Sequence, residues 1–84
     1  MKLELKIKRF NELSTSELYQ ILQLRSEVFV VEQNCVYQDI DAKDEKALHL
    51  IGEYRHKIVA YSRIFQANDY FENASIGRVA IAEE

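Results

Sequence analysis

The sequence has no proline and only two glycines, Gly52 and Gly77, in 84 residues. Average usage would give roughly 6 glycines and 4 prolines in this length. The shortage excludes collagen-like and linker-like chains and argues against disorder, because those classes are rich in one or both residues. It also excludes a GxGxxG or GxxxxGK[ST] loop within these residues, since such loops need clustered glycines for the backbone to approach a phosphate.

Cysteine, excess positive charge and long apolar runs are also scarce. The single cysteine, Cys35, cannot form an internal disulfide, which fits a reducing cytoplasm. Eleven Lys and Arg residues against fourteen Asp and Glu give a net charge of −3, which argues against a basic nucleic-acid-binding face. No apolar run approaches the roughly 20 residues of a membrane span. We therefore expect a cytoplasmic protein that binds neither nucleic acid nor membrane.

What the sequence does contain is the composition of a small globular domain, with 48% hydrophobic residues. Strict alternation over residues 2–9 predicts a first strand. Leu3, Leu5 and Ile7 share one face, which we expect to be the half-buried one, while the charged face is expected at an exposed side or an edge.

Ser14 and Glu17 form a capping-box pattern that predicts the start of a helix, which should run to about Val31. Its expected core-facing stripe comprises Leu18, Ile21, Leu22, Arg25, Val28 and Phe29. Arg25 interrupts this stripe. The simplest explanation is that its stem packs while its guanidinium reaches solvent.

The remaining elements alternate between polar loops and β-rich segments. They are an acidic loop with a short helical turn at 32–46, strands at 47–54 and 57–66 joined by a tight turn at Arg55-His56, a connection at 68–73, and a last strand at 75–82. The order β-α-(loop)-β-β-β predicts one α+β domain with a mainly antiparallel sheet.

Little in the sequence indicates a metal or a nucleophile. Cys35, His49 and His56 are the Cys and His residues available, and they lack any zinc-ligand spacing, so we predict no metal site. Cys35 could be imagined as a nucleophile with His49 as its base. A single cysteine after a helix is more often a half-buried packing residue, and we expect that role.

Several segments together resemble the ElaA-like branch of the GNAT N-acetyltransferases. They are the helix end at 24–35, the loop motif at 37–41, and the strand motifs at 47–50, 60–64 and 76–81. The resemblance implies the N-terminal half of the GNAT fold and a reaction in which acetyl-CoA donates an acyl group to an amine of a small molecule or peptide.

The resemblance also implies site residues. In that fold acetyl-CoA lies beside the fourth strand, whose main chain pairs with the pantetheine arm. By position this stretch is Val79, Ala80 and Ile81. The alternative explanation is an ordinary alternating strand in which Val79 and Ile81 face the core. The acceptor side would be formed by the helix end and the following loop, at Phe29, Glu32, Gln33 and Tyr37. No catalytic residue is assigned.

The acyl-homoserine-lactone synthases, a sister branch, offer a second resemblance. In those enzymes arginines and acids form a charged cluster at the substrate site. The corresponding residues here are Arg25, Arg63, Arg78, Asp39, Asp41 and Asp44. The hypothesis that follows is that Arg25, Arg63 or both hold the acidic loop over the acceptor pocket.

One departure from the family pattern bears on activity. The acetyl-CoA pyrophosphate loop of the family, Arg/Gln-x-x-Gly-x-Gly/Ala, would begin after Glu84. We therefore expect residues 1–84 to be a partial GNAT domain that is inactive alone. Two alternatives remain open, a non-catalytic binding or assembly module and an acyl-homoserine-lactone-synthase-like enzyme. An open strand edge at 75–82 would favour self-association.

Overall fold

The computed structural model describes residues 3–67 and 74–82. It shows one helix packed on one face of a four-stranded sheet. The main elements are strand β1 (Glu4–Arg9), helix α1 (Thr15–Ser26), a π-helical turn (Glu27–Glu32), a 3-10 turn (Asp44–Lys46), and strands β2 (Leu48–Tyr54), β3 (Lys57–Phe65) and β4 (Ser75–Ile81). The predicted α+β class and element order are confirmed. The predicted connection at 68–73 lies outside the described residues.

Helix α1 begins as the capping box predicts. The Ser14 hydroxyl accepts a hydrogen bond from the Glu17 amide at 3.0 Å, and the Glu17 carboxylate accepts one from the Ser14 amide at 2.9 Å. These two bonds satisfy backbone donors that the first turn leaves free. The α-helical hydrogen bonding ends at Ser26, and the π-helical turn carries the same segment on to Glu32, close to the predicted end.

The sheet is antiparallel throughout, in the order β1-β2-β3-β4. Arg55 and His56 close the β2–β3 hairpin with φ values of 51° and 66°. Two consecutive residues with positive φ match the right-handed twist of the flanking strands, so the predicted tight turn is confirmed.

The core lies between α1 and the inner face of the sheet. Its buried members are Ile21, Leu24, Ile51, Ile58, Tyr61 and Ala80. Ala80 belongs to this core, whereas Val79 and Ile81 point away from it. The alternative explanation for β4, with Val79 and Ile81 in the core, is therefore wrong about the direction of the alternation.

The opposite face of the sheet carries apolar side chains that the described residues leave uncovered. We call this the apolar outer face; its members and exposed fractions are Leu5 69%, Ile7 62%, Ile76 70%, Val79 59% and Ile81 68%.

The prediction that Leu5 and Ile7 form the buried face of β1 is wrong. The cross-strand pairing of Lys6 with Ile51 places the lysine side of β1 on the helix-covered face. There the ammonium group of Lys8 forms an ion pair with the Glu17 carboxylate of α1 at 2.8 Å. A lysine can occupy this face at a sheet edge because its stem packs while its ammonium group stays near solvent.

Candidate functional site

Arg25 lies at the centre of the candidate site and is fully buried. Its Nη1 donates to Asp44 Oδ1 at 2.8 Å, its Nη2 donates to the Asp39 main-chain carbonyl at 3.1 Å, and its Nε lies 3.0 Å from Asp39 Oδ2. The expectation that its guanidinium reaches solvent is therefore wrong. A buried charge is tolerated only when it is paired and hydrogen-bonded, and two buried aspartates supply those partners.

Arg63, from β3, holds the next part of the acidic loop. It donates from both terminal nitrogens to the two carboxylate oxygens of Asp41 at 2.8 Å, and from Nη1 to Asp44 at 3.0 Å. The fork-to-fork geometry fixes the carboxylate in orientation as well as position. The hydrogen bonds from Arg63 lower the pKa of Asp41 to about 2, so this carboxylate is ionised at neutral pH.

Arg78, from β4, completes the cluster. Its Nε donates to Asp39 Oδ1 at 3.0 Å, and its Nη2 lies 3.4 Å from both the Asp39 carbonyl and Asp41 Oδ2. The guanidinium carbon lies 6.0 Å from the centre of the Phe29 ring and 5.6 Å from that of Tyr37. At these distances both rings attract the cation.

The six charged residues predicted as a cluster thus come together in space. Three arginines from three different elements face three aspartates of one loop, and every one of the six has an opposite charge within ion-pair distance. The cluster is neutral as a whole. Its arginines are therefore occupied in shaping the loop, and the sequence hypothesis that Arg25 and Arg63 hold this loop agrees with the contacts.

A buried histidine and tyrosine lie beneath the cluster, and the sequence did not single them out as a pair. His49 Nε2 lies 2.9 Å from the Asp44 carbonyl, and His49 Nδ1 lies 2.6 Å from the Tyr61 hydroxyl. A carbonyl can only accept, so Nε2 carries the proton and Nδ1 accepts from the tyrosine. Burial lowers the pKa of His49 and raises that of Tyr61, which keeps both groups neutral.

The predicted acceptor-side residues divide into two pairs. Phe29 is half-buried and Tyr37 is exposed, and both place their rings against Arg78. The Tyr37 hydroxyl also donates to Asp39 Oδ1 at 3.3 Å. Glu32 and Gln33 are exposed at the end of the π-helical turn. The structure brings Phe29 and Tyr37 to the cluster, whereas Glu32 and Gln33 are exposed to solvent.

The predicted cofactor-side residues lie in β4, the last strand of the sheet order. Ala80 pairs with Tyr61 and Ile81 with Ala60 on the β3 side. The other edge of β4 has no strand beside it among residues 3–67 and 74–82. Main-chain groups of Val79 to Ile81 that face this edge therefore have no partner strand within those ranges.

Three other predicted features concern Cys35, metal binding and the membrane. Cys35 is exposed, so the expectation of a half-buried packing residue is wrong. Within the described ranges, no three metal-binding side chains converge. In the same part of the chain, no helix has both the length and the apolar character to cross a membrane.

Comparison with known proteins gives consistent matches over part of their length. No protein-family model matches the chain. Protein ElaA of Escherichia coli K12 is 51% identical over 75 residues, which are 87% of this chain and 49% of ElaA. A UPF0039 protein of Synechocystis is 43% identical over 72 residues, or 84% of this chain and 47% of that protein.

Solved structures agree with this match. The crystal structure of E. coli ElaA superposes with a TM-score of 0.90 at 46% identity, covering 98% of this chain and 57% of that one. An acyl-CoA N-acyltransferase from Pseudomonas aeruginosa superposes with a TM-score of 0.90 at 37% identity, covering 96% and 57%. The chain thus spans about half the length of the curated relatives it matches.

Proposed function

We propose that this chain belongs to the ElaA-like branch of the GNAT acyl-CoA N-acyltransferases, which it resembles over about half of their length, and that it forms part of an enzyme transferring an acyl group from acyl-CoA to an amine. Acetyl-CoA is the proposed donor, and a small-molecule or peptide amine is the proposed acceptor. A cytoplasmic location belongs to the same proposal.

The observation that carries the proposal is the open edge of β4. An acyl-CoA donor carries a pantetheine arm with amide groups, and an extended amide-bearing ligand can pair with a strand edge through main-chain hydrogen bonds. Val79, Ala80 and Ile81 lie at that edge. Ala80 has a small side chain that is buried in the core, so it does not obstruct the edge.

The proposed reaction is direct attack of the neutral amine nitrogen on the thioester carbonyl. The N–C bond forms as the C–S bond breaks, the CoA thiolate leaves, and the proton lost by the nitrogen passes to a base and then to the thiolate. A main-chain amide of β4 would stabilise the oxyanion that develops on the carbonyl. We assign no base within these residues.

The acceptor would lie at the exposed rim of the aspartate loop, which we define as residues 37–44, beside Phe29 and Tyr37. The charged cluster would form one wall of this region, and its arginines and aspartates neutralise each other. Glu32 and Gln33 are exposed at the end of the π-helical turn and are the proposed polar contacts for an amine.

We expect this chain alone to bind the acyl-CoA donor weakly. Gly52 and Gly77 both lie in strands, so these residues contain no glycine-rich turn for the CoA pyrophosphate. We propose that residues 1–84 are a partial domain and that the pyrophosphate site is supplied by further sequence.

The test is an NMR titration of the isotope-labelled chain with acetyl-CoA. We expect weak binding that shifts the amides of Val79, Ala80 and Ile81, with 3′,5′-ADP as the control lacking the pantetheine arm. Absence of β4 shifts at millimolar acetyl-CoA would contradict the donor site. Micromolar binding by the chain alone would contradict the partial-domain proposal.

A second candidate function, an assembly module, is favoured by the apolar outer face and the open β4 edge. Exposed apolar patches and unpaired edges both promote association. We expect the average mass measured by light scattering to rise with concentration, and Ile76→Lys to reduce that rise. Val36→Lys is the control, because Val36 is 97% exposed in the loop. A monomer mass independent of concentration would contradict this function.

A further inference from the structure

Arg78 occupies an irregular position in β4. Tyr61 pairs with Ala80, and Arg63 pairs with Gly77. Between these two pairs β3 advances by two residues, whereas β4 advances by three. The strand therefore carries one extra residue, a β-bulge. Arg78 lies in this bulge with φ at 51°, in the left-handed region that is unfavourable for a residue with a β-carbon. Such a conformation persists only where surrounding contacts hold it.

The contacts that hold it come from the side chain. Arg78 bonds Asp39 and Asp41 of the loop, and the rings of Phe29 and Tyr37 lie near its guanidinium. Of the three cluster arginines, Arg78 is the one that comes from β4. The Arg78 side chain therefore links the bulge to the aspartate loop.

The bulge is also hydrogen-bonded to the neighbouring strand β3. The Ser62 hydroxyl donates to the Gly77 carbonyl at 3.2 Å, so β3 fixes the residue before Arg78. Val79 and Ala80 follow directly after it. A change in the Arg78 backbone must consequently turn the main-chain groups of Val79 relative to those of Gly77.

We propose that Arg78 is a positioning residue that couples the aspartate loop to the β4 bulge, so that the loop and the main-chain groups of Val79 to Ile81 become ordered together. The functional meaning rests on the proposed acyl-CoA site at β4. Under that proposal the acceptor-side loop and the donor-side strand would be aligned by a single guanidinium.

The first experiment compares two glycine substitutions in the chain of residues 1–84. Arg78→Gly keeps the positive φ accessible while removing the side chain, and Arg55→Gly does the same at a matched φ of 51° in the exposed hairpin turn. By hydrogen exchange, we expect the amides of residues 39–44 to exchange at least about tenfold faster in Arg78→Gly, as loss of a charge-assisted contact predicts. Arg55→Gly should leave them unchanged.

The second experiment approaches the coupling from the loop, and it also covers the case in which Arg78→Gly fails to fold. Tyr37→Leu removes one ring beside Arg78, and Val36→Ala is the neighbouring control at a 97% exposed position. Coupling is reciprocal. Tyr37→Leu should therefore shift the Val79 and Ala80 amides and speed their exchange about threefold or more, while Val36→Ala should not.

Two results would overturn the coupling. One is loop exchange within twofold of the wild-type rate in a folded Arg78→Gly. The other is Val79 and Ala80 amides that do not respond to Tyr37→Leu. Both measurements use the free chain, so they are independent of the acetyl-CoA titration that tests the proposed function.

Discussion

At the scale of single residues, Arg25 shows how one buried charge sets the path of a loop. In the sequence, Arg25 is the charged exception in an apolar helical stripe. That position indicates that another part of the fold supplies an opposite charge. The stripe alone could not identify the partners, because Asp39 and Asp44 are 14 and 19 residues away along the chain. The resemblance to the acyl-homoserine-lactone synthases predicted which residues form the cluster, but the individual pairings between arginines and aspartates are decided by tertiary structure.

Replacing Arg25 with Met should destabilise the protein by about 3 kcal/mol, because it leaves two buried carboxylates short of a cation. Residues 37–46 should also exchange faster. Urea unfolding and hydrogen exchange measure these effects, with Gln23→Met on the exposed side of α1 as the control. Unchanged loop protection in a folded Arg25→Met would show that Arg25 does not hold the loop.

Asp41 should make the protein acid-sensitive. Its folded pKa is depressed to about 2 by Arg63, so its contribution is fully present above the unfolded value near 4 and is lost as pH falls through about 2. The contribution is about 2 kcal/mol. Unfolding free energies between pH 5 and pH 2 should show a smaller decrease in Asp41→Asn than in the wild type or in Glu45→Gln, an exposed neighbour. An equal decrease in all three would contradict this role.

His49 should add a pH dependence at a higher pH. Burial lowers its folded pKa and outweighs Asp44, whose carbonyl hydrogen bond and negative charge raise it, while Arg25 and Arg63 add to the lowering. Unfolding therefore takes up a proton once the pH is below the unfolded value of about 6.5. Stability should be fully present at pH 7.5 and fall toward pH 5, with a flatter profile in His49→Gln. His56→Asn, in the exposed hairpin turn, should retain the wild-type slope, and an unaltered slope in His49→Gln would refute the assignment.

At the scale of elements, local sequence signals predicted where elements begin and turn, but they did not predict which face of a strand is buried. The capping box and the two-residue hairpin turn were readable because their hydrogen bonds and backbone angles are set by neighbouring residues. The buried face of β1 could not be predicted in the same way. Alternation says that two faces differ, but not which of them a helix covers, and here the apolar residues Leu5 and Ile7 point to the outer face.

The two glycines offer a matched test of strand packing. A β-carbon on Gly52 would lie 3.0 Å from the β-carbon of Ala60 on the paired strand, whereas one on Gly77 would have no atom within 4 Å. We expect Gly52→Ala to cost about 1–2 kcal/mol, as overpacking does, and Gly77→Ala to change stability by less than about 0.5 kcal/mol. Thermal unfolding would measure both, and equal effects would contradict the packing described for β2 and β3.

At the scale of the whole molecule, the described residues form a sheet with one covered face and one uncovered face. The helix-covered face contains the core and supports the charged cluster. Among these residues, the apolar outer face is exposed and one edge of β4 has no strand beside it. The match to about half of ElaA and of the Pseudomonas acyltransferase fits this asymmetry.

We propose that β4 of this chain forms the donor side of an acyl-CoA site once the fold is completed. The most direct test is a chimera in which this chain replaces the matching part of the Pseudomonas acyl-CoA N-acyltransferase, with acetyl-CoA binding measured by calorimetry. We expect the folded chimera to bind acetyl-CoA far more tightly than residues 1–84 alone. A folded chimera that does not bind, beside an unmodified Pseudomonas protein that does, would contradict it.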